Sequence, residues 1–313
     1  MAHEQAGPQE FELGKNSRVH HLISVISGKG GVGKSLVTGI LATELARAGK
    51  TVGILDADIT GPSIPRMFGM AKAHATAADE QLVPCVSSRG TKVMSANLVL
   101  EDETQPVLWR GPVLGGAIRQ FWGDTAWGDI DYMLVDMPPG TGDVALTVFQ
   151  SLPIEGVVIV TSPQDLVSMI VGKAVNMCAQ MQVPVLGLVE NMSYAVCPKC
   201  GEHLHIFGES HLDEVAAGYG LPVLGRLPID PKIAAACDAG TFEDDLPENL
   251  LPDAVALALD LPELEVSEQA PKGPEPTMAE RAAAAAAAYK AKKAHEKDGG
   301  DDGTVDMTPR EVR

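Results

Sequence analysis

The sequence predicts an α/β fold, a mostly parallel sheet with helices on both faces. Three observations carry that prediction. Short apolar runs recur at residues 22–26, 51–55, 132–135, 156–161, 185–189 and 223–227. Runs this uniform suit strands buried on both faces, as parallel strands under helices are. Segments of helical length separate them, so strand and helix alternate along the chain. Carboxylates close two of the runs, at Asp56 and Asp136, where the ligand crevice of such a sheet lies. With 313 residues, 45% of them hydrophobic, the chain is ample for one large domain plus appendages.

Residues 1–19 are polar and are expected to form a flexible arm, with no apolar core of the kind a signal peptide needs. The run at 22–26 is read as a buried strand. It breaks into Gly28-Lys29-Gly30-Gly31-Val32-Gly33-Lys34-Ser35, which satisfies G-x-x-x-x-G-K-S/T, the phosphate-binding loop. Glycines let backbone N–H groups turn inward around phosphate oxygens. Lys34 is placed to reach the β- and γ-phosphates, and the Ser35 hydroxyl to ligate Mg²⁺. A helix over 34–48 would point its positive dipole end at the phosphates. The extra lysine, Lys29, makes the octet resemble the deviant Walker A motif of the MinD, ParA and nitrogenase iron-protein group. That resemblance implies a P-loop NTPase fold. It also implies that Lys29 reaches the nucleotide of a partner subunit, as an arginine finger does.

The second strand, 51–55, ends in Asp56-Ala57-Asp58. Asp56 is expected to hold Mg²⁺-bound water and Asp58 to orient or deprotonate the attacking water; the alternative is a pair capping the next helix. A Gly/Pro loop over 60–67 is read as a switch segment. Residues 71–90 read as polar and irregular, 91–100 as a strand and 114–122 as a helix. Arg110 is open between a phosphate or partner contact and a surface ion pair. The run ending in Asp136 has the Walker B pattern, with Asp136 on a Mg²⁺-bound water and 138–143 as a second switch. A strand at 156–161, a helix at 165–181 and a strand at 185–189 follow. In the group that the octet resembles, an asparagine at this last strand end reads the adenine edge; turn formation is the alternative for Asn191. Pro228 and Asp230, after the run at 223–227, would flank the base.

Between these two strands stands Cys197-Pro198-Lys199-Cys200-Gly201, a metal knuckle whose turn aims both sulfurs at one point. Two thiolates do not fill a four-ligand site, whether zinc or [4Fe-4S]. Either His203 and His205 complete a Cys₂His₂ zinc site, or a second subunit supplies two more cysteines across a two-fold axis. GKGGVGKS, LDADITGPSIPRM, WRGP, LVDMPPGTGD, VENMSY and CPKCG, in this order, resemble the Mrp/ApbC-type iron–sulfur cluster carrier ATPases over about residues 16–260. The resemblance implies ATP chemistry at Lys29, Lys34, Ser35, Asp56, Asp58 and Asp136. It implies a [4Fe-4S] cluster bridging two subunits through Cys197 and Cys200, and its transfer to apo-proteins, with scaffold proteins as further partners. Two departures stand out. The small N-terminal domain that many members carry is not expected here, and the resemblance does not explain the segment from 263 onward.

That segment reads as a Pro-bearing linker, an Ala-rich helix opened by a capping box at Thr277 and Glu280, and a disordered tail. Three domains are therefore expected: 1–19, a P-loop ATPase domain over 20–262, and 263–313. The net charge is −18, and residues 1–262 hold 31 acidic against 16 basic residues, a net of −15. Such a body argues against nucleic acid and anionic membrane as partners. Five cysteines, an odd number, suggest a reducing compartment, hence the cytoplasm. Cys85, Cys178 and Cys237 are read as buried or idle. The expected function is a homodimeric ATP-hydrolysing cluster carrier. The alternatives are a MinD- or ParA-like positioning ATPase and a zinc-stabilised, nucleotide-dependent scaffold.

Overall fold

The computed structural model describes residues 13, 14, 17–58, 61, 63–99, 111–163 and 167–262. In chain order these form β1 (Arg18–Ser27), α1 (Lys34–Arg47), β2 (Val52–Asp56), α2 (Ile64–Met67), β3 (Thr76–Ala78), β4 (Gln81–Val83), β5 (Cys85–Val86), β6 (Lys92–Ser95), α3 (Ala96–Val99) and α4 (Gly111–Gly123). Then come β7 (Asp129–Asp136), α5 (Asp143–Ser151), β8 (Gly156–Thr161), α6 (Val167–Gln180), β9 (Val185–Val196), β10 (His203–Leu204), α7 (Leu212–Tyr219), β11 (Val223–Pro228), α8 (Pro231–Ala239), α9 (Phe242–Asp245) and α10 (Pro252–Leu259).

Seven strands run parallel, in the order β11-β9-β8-β1-β7-β2-β6. The two remaining strands of the sheet are antiparallel: β5 on β6, and β10 on the far end of β9. The chain starts in the middle at β1, builds outward on one side through β2 and β6, returns through β7, and builds the other side through β8, β9 and β11. The reversal falls at β1, so the crevice at its carboxyl end is where a ligand belongs in such a sheet.

Side chains alternate across the strands and divide the core in two. Ile23 and Val25 of β1, Val52 and Ile54 of β2, and Tyr132 and Leu134 of β7 face a layer with Val37, Ile40 and Leu41 of α1, Phe242, and Leu257 of α10. Leu22 and Ile26, Leu55, and Met133 and Val135 face the other layer, with Phe121 of α4, Val148 of α5, Val171 of α6 and Val215 of α7. Both faces are thus covered, which is why the strands read as uniform apolar runs. Each fully buried Leu, Ile or Val contributes about 1.5–3 kcal/mol of transfer free energy.

Four expectations are corrected. The arm does not reach residue 19: Arg18 and Val19 already pair with Asp129 and Ile130, and the Ser17 hydroxyl donates to the Thr125 carbonyl. This end of β1 faces solvent and carries polar residues, so an apolar-run criterion misses it. Residues 71–90 are not irregular throughout, since β3 pairs antiparallel with β4 and β5 with β6. The run at 91–100 is a four-residue strand followed by a helical turn. The strand at 185–189 continues to Val196: past a bulge Tyr194 still pairs with Pro228 of β11, and Ala195 and Val196 pair with β10 as a ribbon. Arg110 and the segment 263–313, with its expected linker, helix and tail, lie outside the described residues.

Candidate functional site

The octet joins β1 to α1 as its composition requires. Gly31 and Gly33 have φ of +81° and +84°, a region closed to most side chains. A Cβ on Gly33 would also fall on the Asn191 amide nitrogen. Gly33 is the N-cap of α1, whose first turn holds no acidic residue, so its dipole end is clear for an anion. A cavity of about 320 Å³ opens over this turn, lined among others by Gly30, Gly33, Lys34, Ser35 and Asp58.

Lys34 is buried, and its Nζ sits 2.7 Å from Asp136 Oδ1 and 3.7 Å from Asp58 Oδ2. The Ser35 hydroxyl donates to Asp136 Oδ2 at 2.5 Å. Asp56 and Asp136 stand directly opposite each other at the ends of the adjacent parallel strands β2 and β7, both fully buried. Asp56 Oδ1 accepts the Asp58 N–H at 3.1 Å. Burial, with Asp136 beside it, holds the Asp56 carboxyl well above the usual carboxylate range. The Ser35 hydroxyl on Asp136, with Asp56 at the adjacent strand end, is a hard oxygen donor set, which fits Mg²⁺. Lys29 lies in the loop, where its carbonyl accepts the Ser27 hydroxyl at 2.8 Å.

Two supporting groups escaped the sequence reading. Thr38 Oγ1 lies 2.9 Å from Asp136 Oδ1 and 3.1 Å from the Lys34 carbonyl, and shares its proton between them. It falls one helical turn after Lys34, a spacing that could have flagged it. Ser95, at the end of β6, donates to Asp56 Oδ2 at 3.0 Å. No local signal marks it, because only the strand order brings β6 beside β2.

Asn191, Pro228 and Asp230 come together around a second cavity of about 190 Å³, on the other side of the first turn of α1. Leu36 borders both cavities. Asn191 Nδ2 donates to the Val32 carbonyl at 2.9 Å, so this side chain also braces the phosphate loop. Asp230 Oδ1 caps α8 through the Lys232 N–H at 2.8 Å.

The strand carrying Asn191 is bulged. Met192 has φ of +58°, and Glu190 pairs with Arg226 while Tyr194 pairs with Pro228, four residues against two. The buried Glu190 carboxylate accepts the Ser193 hydroxyl at 2.6 Å and that of Ser210 at 2.8 Å. One carboxylate thereby ties both roots of the excursion 194–209.

That excursion carries the thiols. Cys197 and Cys200 sit in the turn between β9 and β10, which is closed by Cys197 N–H to Glu202 O at 2.8 Å and Gly201 N–H to Cys197 O at 2.9 Å. Cys200 is exposed and Cys197 half-buried, and neither is in a disulfide. The backbone N–H groups of Lys199 and Cys200 pull the Cys197 thiol below its usual range. The zinc alternative is not assembled. Among the described residues no three His, Cys, Asp or Glu side chains are placed to hold a metal ion. The His203 ring is stacked on Tyr194, centroids 4.0 Å apart. Of the other thiols, Cys178 is buried and its pKa pushed up to about 12, while burial also raises the partly buried Cys85 and Cys237. Among the described residues no helix is long and apolar enough to cross a membrane.

Known proteins resemble this arrangement. The model of the ParA-type NUBPL iron-transfer P-loop NTPases matches residues 18–255. The iron–sulfur cluster carrier protein of Clostridium perfringens is 49% identical over 248 residues, 77% of this chain and 87% of that protein. The one from Methanocaldococcus jannaschii is 45% identical over 234 residues, 74% and 81%. A nucleotide-binding protein of Archaeoglobus fulgidus, solved with ADP, superposes with a TM-score of 0.67 at 44% identity, covering 74% of this chain and 92% of that one. The septum site-determining protein MinD of Pyrococcus horikoshii, at 19% identity and a TM-score of 0.56, over 78% of this chain and 96% of its own, shares the fold.

Proposed function

The chain belongs to the NUBPL iron-transfer P-loop NTPase family, that of the iron–sulfur cluster carriers, and from this membership we propose that it is an ATP-hydrolysing carrier. It binds a [4Fe-4S] cluster between two copies and hands it to apo-proteins, in the cytoplasm. The domain boundary proposed for this activity is residue 262, and neither nucleic acid nor membrane is among the proposed partners.

The observation that carries this reading is the sharing of one strand. β9 holds Asn191, which braces the phosphate loop, and leads directly to Cys197 and Cys200. A nucleotide site and an incomplete soft-metal site are built on the same element, and two thiols alone cannot saturate a cluster.

In the nucleotide site, the loop N–H groups and Lys34 hold the β- and γ-phosphates. Mg²⁺, held by Ser35 with Asp56 and Asp136, would neutralise charge on the phosphate oxygens. Lys34 leaves Asp136 for the phosphates when they arrive, since a buried ammonium needs a counter-charge in either state. Asp58 orients the attacking water, whose oxygen bonds to the γ-phosphorus as the bond to the bridging oxygen breaks. Lys29 supplies charge to the partner's nucleotide. Asn191, Pro228 and Asp230 take the base.

Anaerobic loading with ferrous iron and sulfide tests the reading. About two irons per chain in a dimer are expected for four thiolates per [4Fe-4S] cluster. Cys197→Ala and Cys200→Ala should each abolish the iron–sulfur absorbance and leave ATP binding intact. His203→Ala with His205→Ala should leave the cluster in place. About one zinc per monomer, lost with the histidines, would overturn the carrier reading.

A further inference from the structure

Thr38 is fully buried on α1. It stands four residues after Lys34 and three after Ser35, so the three side chains share one face of the helix. Asp136 meets that face. Lys34 Nζ at 2.7 Å and Thr38 Oγ1 at 2.9 Å both reach Oδ1, and the Ser35 hydroxyl donates to Oδ2. The Thr38 proton has a second acceptor in the Lys34 carbonyl at 3.1 Å, the back-bond that a threonine commonly makes inside a helix. α1 does not impose that bond. Thr43, on the same helix and also buried, leaves its Oγ1 without a hydrogen-bond partner. In an α-helix the Lys34 carbonyl already takes the backbone N–H four residues on, whereas the fully buried Asp136 carboxylate depends on side-chain donors.

We propose that Thr38 is a positioning residue for the nucleotide–metal site: its hydroxyl turns wholly to Asp136 when Lys34 moves to the phosphates, and keeps that carboxylate aimed at Mg²⁺. The proposal rests on the nucleotide reading above and deepens it by naming a residue outside the loop motif. In the empty site Lys34 neutralises Asp136. Once Lys34 turns to phosphate, Oδ1 keeps one of its two named donors, and that donor is Thr38. Ser35 serves the other oxygen, Oδ2, while its own oxygen goes to the metal. Asp56 stands directly opposite Asp136, so the departure of Lys34 leaves a carboxylate for a neighbour. A hydrogen bond to a charged acceptor is about twice as strong as one between neutral groups, so the carboxylate then outcompetes the carbonyl for the proton. No backbone atom has to move. Both acceptors lie within reach of the same oxygen, and rotation about the Cβ–Oγ1 bond carries the proton from one to the other.

The demand on Thr38 therefore depends on the state of the site. In the empty protein its loss removes one of two donors on Oδ1. In the loaded protein it removes the one that is left. A packing role would show no such dependence, and would follow the shape of the side chain rather than its proton.

The test compares Thr38→Val, which keeps the shape and loses the proton, with Thr38→Ser, which keeps the proton and loses a methyl group. Calorimetric titration with MgADP reads binding without turnover, and thermal melting reads the empty protein. Thr38→Val should melt near the wild-type temperature when empty, yet bind MgADP about 10–100-fold more weakly, the worth of a hydrogen bond to a charged group. Thr38→Ser should bind MgADP as the wild type does. Wild-type affinity in Thr38→Val overturns the assignment. So does weak binding by Thr38→Ser beside normal binding by Thr38→Val, the pattern of a packing role. If Thr38→Val does not fold, Thr38→Ala against Thr38→Ser poses the same question, since these two differ by the hydroxyl alone, and equal affinities overturn the assignment. A wild type that binds MgADP but hydrolyses no ATP overturns the ATPase reading and leaves the role of Thr38, which is read from binding, in place.

Discussion

At the scale of single residues, the two lysines of the octet are proposed to serve two sites, Lys34 the nucleotide of its own chain and Lys29 that of a partner. Lys34 is locked among Asp136, Asp58 and Ser35 of its own chain. Lys34→Ala should weaken ATP binding by about 10–100-fold, the worth of a charge-assisted contact, and abolish turnover. Lys29→Ala should bind ATP nearly as wild type and lose about 10³–10⁵ in rate, as removal of a trans-acting cation does. Equal hydrolysis by wild type and Lys29→Ala would exclude a role for this lysine. The raised pKa of Asp56 adds a pH dependence. Burial and Asp136 let its carboxyl keep its proton to higher pH, and it must lose that proton to meet Mg²⁺. MgATP binding should therefore release protons, and its affinity should rise as pH passes upward through the raised value. Calorimetry in buffers of different ionisation enthalpy reads the release directly, and Asp56→Asn should eliminate it.

At the scale of elements, β9 is the strand that both halves of the proposed activity share. Three consecutive residues do this: Glu190 ties the roots of the thiol excursion, Asn191 holds the loop carbonyl of Val32, and Met192 makes the bulge. Any shift of the loop on nucleotide binding would reach β9 through the bond between Asn191 and Val32. Asn191→Ala removes one buried hydrogen bond, worth about 1 kcal/mol, so the fold should survive; nucleotide binding should weaken with the proposed base contact, and the comparison is made at saturating nucleotide. What should disappear is any effect of nucleotide on the alkylation rate of Cys197, the thiol that backbone N–H groups activate. If nucleotide alters that rate equally in wild type and variant, coupling does not run through Asn191.

At the scale of the molecule, the described core closes with α10. Leu257, Ala258 and Leu261 are buried in the α1 layer, and the Tyr132 hydroxyl donates to the Ala258 carbonyl at 3.1 Å. A chain ended after Pro262 should melt at the full-length temperature and bind ATP normally. A chain ended after Asn249 exposes that layer and should lose its cooperative transition, since each large buried side chain removed costs about 2–5 kcal/mol. Thermal denaturation of both truncations checks the boundary. A large drop for the longer one would show that residues beyond 262 belong to the folded body.

The sequence by itself determined the fold class, the phosphate loop and the thiol pair. Each of these is written in contiguous residues. Uniform apolar runs encode burial on two faces, and glycines at 31 and 33 encode the positive φ that the loop needs. A Cys-x-x-Cys turn closes on itself. Only the tertiary structure decided what depends on strand order. It set Asp56 opposite Asp136 and brought Ser95 under Asp56. It joined Asn191, Pro228 and Asp230 around one cavity and added a bond from Asn191 to the phosphate loop. It also stacked the His203 ring on Tyr194. The edges of elements were hidden for a related reason. Arg18 and residues 193–196 are strand because a neighbour pairs with them, and a partner's position is not recorded in local hydrophobicity.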